Sequence, residues 1–247
     1  MISEQAALPG PPVRVTNVTK RYGEMTALSD VSFSIRDREV LGLIGPNGSG
    51  KTTLFECIGG VLPLDTGAVC RNDRPLTARE LKATVFYLPD AIAPWPAQSV
   101  RWALDFTIGL FGGRLDRQND VIQRLDVGPL LATPIGALSK GQRKRALLAI
   151  GLLTPQPILL ADEPFEGLDL RQTREVAQTL RWYASLGRTM FLSIHQIADA
   201  ARVCDRFVLL SGGRTRGEGT LEELSALAAS RGAPRSTDLE QVFLALT

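Results

Sequence analysis

The sequence predicts an α/β chain built on a largely parallel sheet, and three observations lead there. Short apolar runs alternate with stretches of helical character, the pattern of strands joined by crossover helices. One such run, VLGLI (Val40 to Ile44), gives way to a glycine-rich loop and then to TTLFECI, which continues as a helix. From Pro89 to about Leu153 the strand signal stops, and helical stretches separated by Gly and Pro read as an insertion within the α/β domain.

Taken in order, residues 1–12 end in Pro9, Gly10, Pro11 and Pro12 and read as a loose leader. The β-like runs VRVTNV and VSFSI follow, with Ser29–Asp30 expected as a turn between them, and then VLGLI. Trp102 to Phe111, Asp120 to Leu125 and Gly141 to Leu152 each read as helices. Strand signals return at ILLA (Ile158 to Ala161), TMFLSI (Thr189 to Ile194) and RFVLL (Arg206 to Leu210). Helical stretches between them favour parallel pairing. No internal repeat or low-complexity tract divides the chain, so one catalytic domain with two lobes is expected.

Composition bounds the function. With 247 residues, 44% hydrophobic and 22% charged, the chain has the make-up of an ordinary globular protein with a sizeable core. A net charge of +2 gives no basic excess that would point to nucleic acid. The three cysteines, Cys57, Cys70 and Cys204, lack paired spacing, and there is a single histidine. A structural zinc site or a disulfide framework is therefore not expected, and reduced thiols are. Glu4 and the missing apolar segment argue against a secretory signal at the N-terminus. No window supplies the ~18 apolar residues needed to span a bilayer. The most apolar stretch, Ala146 to Ala161, is broken by Thr154, Pro155, Gln156 and Pro157. A membrane role must come through a partner.

GPNGSGKT, from Gly45 to Thr52, fits G-x-x-x-x-G-K-[ST] at every fixed position and stands between an apolar strand and a helix. Gly45, Gly48 and Gly50 let the backbone wind tightly around Pro46, Asn47 and Ser49, so that N–H groups converge on phosphate oxygens. The helix starting near Lys51 adds the positive end of its dipole. Lys51 reaches the β- and γ-phosphates in such a loop, and the Thr52 hydroxyl ligates magnesium. This much predicts a nucleotide-binding chain and leaves kinases, GTPases, helicases and transporters open.

ILLADEP is an apolar strand ending in two acids. Asp162 is suited to hold magnesium, directly or through water, and Glu163 to polarise the attacking water. Taken alone, the pair would also serve as an acidic helix cap. LSKGQRKR (Leu138 to Arg145), taken alone, is a turn opening a helix. Ahead of the strand with the two acids, it resembles the signature of the ABC ATPase family, commonest as Leu-Ser-Gly-Gly-Gln, with Lys140 in place of the first glycine.

The resemblance extends over nearly the whole chain from Val13 onward. It implies a P-loop ATPase with a mostly parallel core sheet, an antiparallel β subdomain and an inserted helical subdomain at about 90–155. The ATPase domain would span 13–220 and a helical tail 221–247. In RYG, Tyr22 matches the aromatic that stacks on adenine; in EGLDL, Asp169 matches the D-loop acid; in SIHQ, His195 matches the switch histidine that contacts the γ-phosphate. ATP on Gly45–Thr53 of one subunit would be covered by Ser139, Gly141 and Gln142 of another, in a homodimer or a pair of homologues. Integral-membrane permease subunits would complete the assembly at the cytoplasmic face of the plasma membrane.

One departure stands out. Where the family has a magnesium-sensing glutamine after the strand TVFYL, this chain has Asp90, a shorter side chain that binds a cation more strongly and donates no hydrogen bond. An acid there, LSKGQ, and the C-terminal DLEQVFLALT resemble the type-two exporter branch, so export is expected. Trp95, between two prolines, is the expected anchor for a coupling helix of the membrane subunit; Trp102 reads equally as anchor or core. The rival within the family is an ATPase of DNA repair or translation. Such proteins usually carry coiled-coil insertions or two cassettes, and this chain has neither.

Overall fold

Strands buried at nearly every position need cover on both faces, and here they form the middle of a six-stranded sheet. The computed structural model describes residues 12–90, 92–112 and 115–247. The expected leader lies outside them apart from Pro12. Strands β1 (Val13–Tyr22) and β2 (Met25–Ile35) lead to β3 (Val40–Ile44) and helix α1 (Lys51–Ile58). Then come β4 (Thr66–Arg71), β5 (Arg74–Pro75), α2 (Ala78–Thr84) and β6 (Val85–Leu88). Helices α3 (Val100–Phe111), α4 (Gln118–Arg124) and α5 (Lys140–Leu153) intervene before β7 (Ile158–Asp162). The chain closes with α6 (Leu170–Ser185), β8 (Thr189–Ser193), α7 (Ile197–Val203), β9 (Arg206–Ser211), β10 (Arg214–Gly219), α8 (Leu221–Ser230) and α9 (Leu239–Leu246).

The larger sheet runs β10-β9-β3-β8-β7-β6, parallel except for β10 at its edge. The smaller, β2-β1-β4-β5, is antiparallel. Side chains of the larger sheet alternate between two cores, as a period of two requires. Leu41, Leu43, Leu160, Phe191 and Val208 join Phe33 of β2 and Leu54, Phe55 and Ile58 of α1. Their neighbours Val40, Ile44, Leu159, Met190, Leu192 and Leu209 pack with α5 and α6 on the other side. Both cores therefore meet on the strands whose ends carry the loop at Gly45 and the acids at Asp162.

The three helices between β6 and β7 fall where the insertion is expected. Two of them begin with a side-chain cap: Ser99 Oγ accepts from Trp102 N at 3.2 Å ahead of α3, and Ser139 and Gln142 form a capping box on α5. Trp102 is surface rather than core. It stacks on Phe106 with ring centroids 4.9 Å apart, and Trp95 meets both rings edge-on at 5.6 and 5.1 Å. The expected turn at Ser29–Asp30 lies instead inside β2. Asp30 takes a φ of 58° at an irregularity in the β1–β2 pairing, and its N–H is met by Thr19 Oγ1 at 3.1 Å. Asp tolerates the left-handed region, so a turn-like pair becomes a bulge. At the C-terminus, Leu224, Leu239, Val242 and Leu246 are buried in the same core as α7 and β9.

Candidate active site

The loop after β3 is shaped by what cannot fit there. A Cβ on Gly45 would stand 2.3 Å from the carbonyl oxygen of Leu210, and one on Gly50 would stand 2.8 Å from that of Ala27. Gly50 also carries a φ of 102° at the start of α1, a conformation costly for any other residue. The loop is thus pressed onto β9 and β2, and α1 departs from it directly. Lys51, at the first position of α1, folds back over the loop: Nζ donates to the carbonyls of Gly45 at 2.7 Å and Pro46 at 3.3 Å. Burial pushes its ammonium below the ordinary lysine range, and the charges of Glu163 and Asp162 oppose that shift.

The acids at the end of β7 meet this loop. Thr52 Oγ1 donates to Asp162 Oδ2 at 3.0 Å, and the fully buried Ser193 hydroxyl donates to Asp162 Oδ1. Ser193 is in place because Asp162 and Ser193 are partners in the parallel β7–β8 ladder. Glu163 follows in the left-handed region, φ 48°, with its N–H directed at the carbonyl and hydroxyl of Ser193. Its Oε2 accepts from the main-chain N–H of His195 at 3.0 Å. Desolvation raises the Glu163 carboxyl above the ordinary range, against the pull of the His195 N–H and of Lys51. A carboxylate of this kind, held by one oxygen, is suited to orient a water and take its proton.

These groups face one cavity of about 630 Å³, lined by Tyr22, Asn47, Gly48, Gly50, Lys51, Thr52, Thr53, Asp90, Asp162 and Glu163. Glu163 and Asn47 also line an adjoining cavity of about 460 Å³, and His195 borders that one. Asp90 is tied to α5, accepting from Lys144 Nζ at 2.6 Å, while the same ammonium donates to the carbonyl of Asp162 at 3.2 Å. Among the described residues no group of three or more His, Cys, Asp and Glu could hold a metal by itself. The hydroxyl of Thr52 and the carboxylate of Asp162 are hard oxygen donors in contact, which fits magnesium, an ion held by one or two carboxylates together with phosphate and water.

Other expected residues are not brought to this cavity. Ser139, Gly141 and Gln142 stand at the first turn of α5 and line neither cavity. Gly141 is packed so that a Cβ would lie 2.5 Å from the carbonyl oxygen of Gly167, and Lys140 pairs with Glu166. Asp169 caps α6, accepting from Gln172 N at 2.8 Å. Two residues that sequence reasoning did not single out are Ser193 and Lys144. Both lie inside stretches that drew attention for other residues.

A family model for the ABC transporter matches residues 28–166. The hemin import ATP-binding protein HmuV of Thermobifida fusca is 33% identical over 242 residues, covering 87% of this chain and 82% of that one. A Nod factor export ATP-binding protein I of Burkholderia orbicola is 32% identical over 219 residues, covering 84% and 70%. A solved ATP binding subunit of an ABC transporter superposes with a TM-score of 0.84 at 25% identity, over 95% of this chain and 98% of that one.

Proposed function

Because the chain belongs to the ABC transporter family as an ATP-binding subunit, we propose that it hydrolyses ATP as half of a head-to-tail pair and drives export through separate membrane subunits. The observation that carries the catalytic assignment is the meeting of Thr52, Asp162 and Glu163 with the phosphate loop in a single cavity. ABC ATP-binding domains are ATPases that work with permease subunits, and no helix of the described residues is long and apolar enough to cross a membrane.

The roles follow from chemistry. ATP lies along Gly45 to Thr53, where backbone N–H groups and the α1 dipole neutralise phosphate charge. Lys51 exchanges its two carbonyl partners for β- and γ-phosphate oxygens. Thr52 and Asp162, with Asp90 beside them, would hold a magnesium ion, whose chemistry would be to neutralise charge on the phosphates. Glu163 orients the water for in-line attack, His195 contacts the γ-phosphate from the adjoining cavity, and Tyr22 stacks on adenine.

A second subunit is needed because Ser139, Gly141 and Gln142 lie off the cavity of their own chain while Ser139 is exposed at a helix start. Facing the ATP of the partner, they and Asp169 would close its site. Export is supported by the Nod factor relatives, by Asp90 and by the LSKGQ sequence. The ATPase domain is assigned to 13–220, with a helical lobe at about 90–155 and a tail at 221–247, docked on the cytoplasmic face of the plasma membrane. Glu163→Gln tests the catalytic core: ATP binding persists and hydrolysis falls about 10²–10⁴-fold, the range for loss of a general base. Normal turnover in that variant overturns the assignment. Uptake of substrate into inverted membrane vesicles on adding ATP tests the direction.

A further inference from the structure

Asp90 borders two spaces at once. It lines the nucleotide cavity with Thr52 and Asp162, and it lines a groove of about 210 Å³ along the start of α5 with Lys140, Arg143 and Lys144. Its bond to Lys144 Nζ, at 2.6 Å, is made to a lysine whose side chain is only 6% exposed, against 30% for Asp90. The same ammonium reaches the carbonyl of Asp162, at 3.2 Å. One buried cation therefore joins the end of β6, the end of β7 and the second turn of α5.

A buried ammonium needs anionic or carbonyl partners, because without them its charge is desolvated and uncompensated. A divalent ion in the neighbouring cavity wants the same carboxylate. The two demands compete for one side chain.

We infer that Lys144 is a positioning residue for the metal site, holding the Asp90 carboxylate toward α5 so that magnesium must draw it from the ammonium. The inference rests on the assignment of Asp90 to magnesium made above. It has a reciprocal consequence, since two equilibria that share a group are linked. Metal engagement loosens the hold of β6 on α5, the helix whose first turn carries Ser139, Gly141 and Gln142. A firm hold of Asp90 on Lys144 raises the magnesium concentration that the site requires.

The test uses the full chain with a fluorescent, non-hydrolysable ATP analogue (mant-AMPPNP), titrating magnesium and reading nucleotide binding. Lys144→Met lowers the half-saturating magnesium about three- to ten-fold, the worth of a partly buried ion pair. Lys144→Arg, which keeps the charge, stays within about two-fold of the parent chain on the same scale. Asp90→Asn raises the requirement, and in that background Lys144→Met changes nothing further. An unchanged midpoint in Lys144→Met overturns the inference. So does an equal drop with and without Asp90, which would mean plain repulsion between ammonium and metal. If Asp90→Asn leaves the requirement where it was, the assignment of Asp90 to the metal is what fails. Thermal melts check folding, and Lys144→Gln, with the same expected drop, serves if the Met variant does not fold.

Discussion

Ser193→Ala removes one hydroxyl that no solvent can replace, and the structure sets its cost. Ser193 is fully buried, and its Oγ donates to Asp162 Oδ1 while receiving the Glu163 N–H at 3.3 Å. Asp162 keeps Thr52 Oγ1 on its other oxygen at 3.0 Å, so one of its two side-chain donors remains. A hydrogen bond to a charged group contributes about 1.5–3 kcal/mol, and with the acceptor buried that whole amount is lost. For a chain of this size, each kcal/mol moves the melting temperature by roughly 2–4 °C, so the variant should melt about 3–12 °C lower. Urea unfolding of the two proteins side by side gives the free-energy difference from the shift in midpoint. The loss should come without a change in slope, because the surface exposed on unfolding is the same. A loss below about 0.5 kcal/mol, the size of a neutral surface change, would refute the argument that Ser193 anchors Asp162.

Two further outcomes follow from the site and the surface. Burial holds the Glu163 carboxyl above its ordinary value of 4.5, so between that value and its raised one the folded chain binds more protons than the unfolded chain. Stability therefore falls as pH rises through that window, and the penalty is complete above it. Glu163→Gln should melt higher than the parent at neutral pH, with the gap closing as the pH drops below the ordinary carboxylate range; a lower melt at neutral pH would contradict this. Trp95, which is 39% exposed beside Trp102 and Phe106, is proposed as the anchor for a membrane subunit. Trp95→Ala should leave hydrolysis by the isolated chain within about two-fold, yet reduce recovery of a polytopic partner from detergent-solubilised membranes ten-fold or more, the weight of an aromatic anchor.

What the sequence made legible is what a local pattern encodes. The runs VLGLI, ILLA, TMFLSI and RFVLL announced β3, β7, β8 and β9, because strands covered on both faces are mostly apolar. The phosphate loop could be read because its pattern of glycines, lysine and hydroxyl is fixed by the phosphate it cradles and is contiguous in the chain. The edge strand β10, RTRGEG, carries no apolar run of its own and lies in place by pairing with β9; its one local mark is the Gly212–Gly213 turn that precedes it, both residues at positive φ. Asp30 shows the opposite error, a turn residue used in a bulge.

The residues that hold the site in position were illegible for a different reason. Ser193 owes its role to being level with Asp162 across two strands, and Lys144 meets a residue 54 positions away. Neither fact exists until β7 and β8 are in register and α5 is seated beside β6. Motif residues act on phosphate, whose geometry is the same in every chain that binds it, so their pattern survives in sequence. Supporting residues act on each other. Asp90 lies on the boundary between the two kinds: its place after β6 marks it as a motif residue, but which way its carboxylate faces is decided by Lys144. A chain with Asp90 and a neutral residue at 144 would carry the same motif and bind magnesium differently.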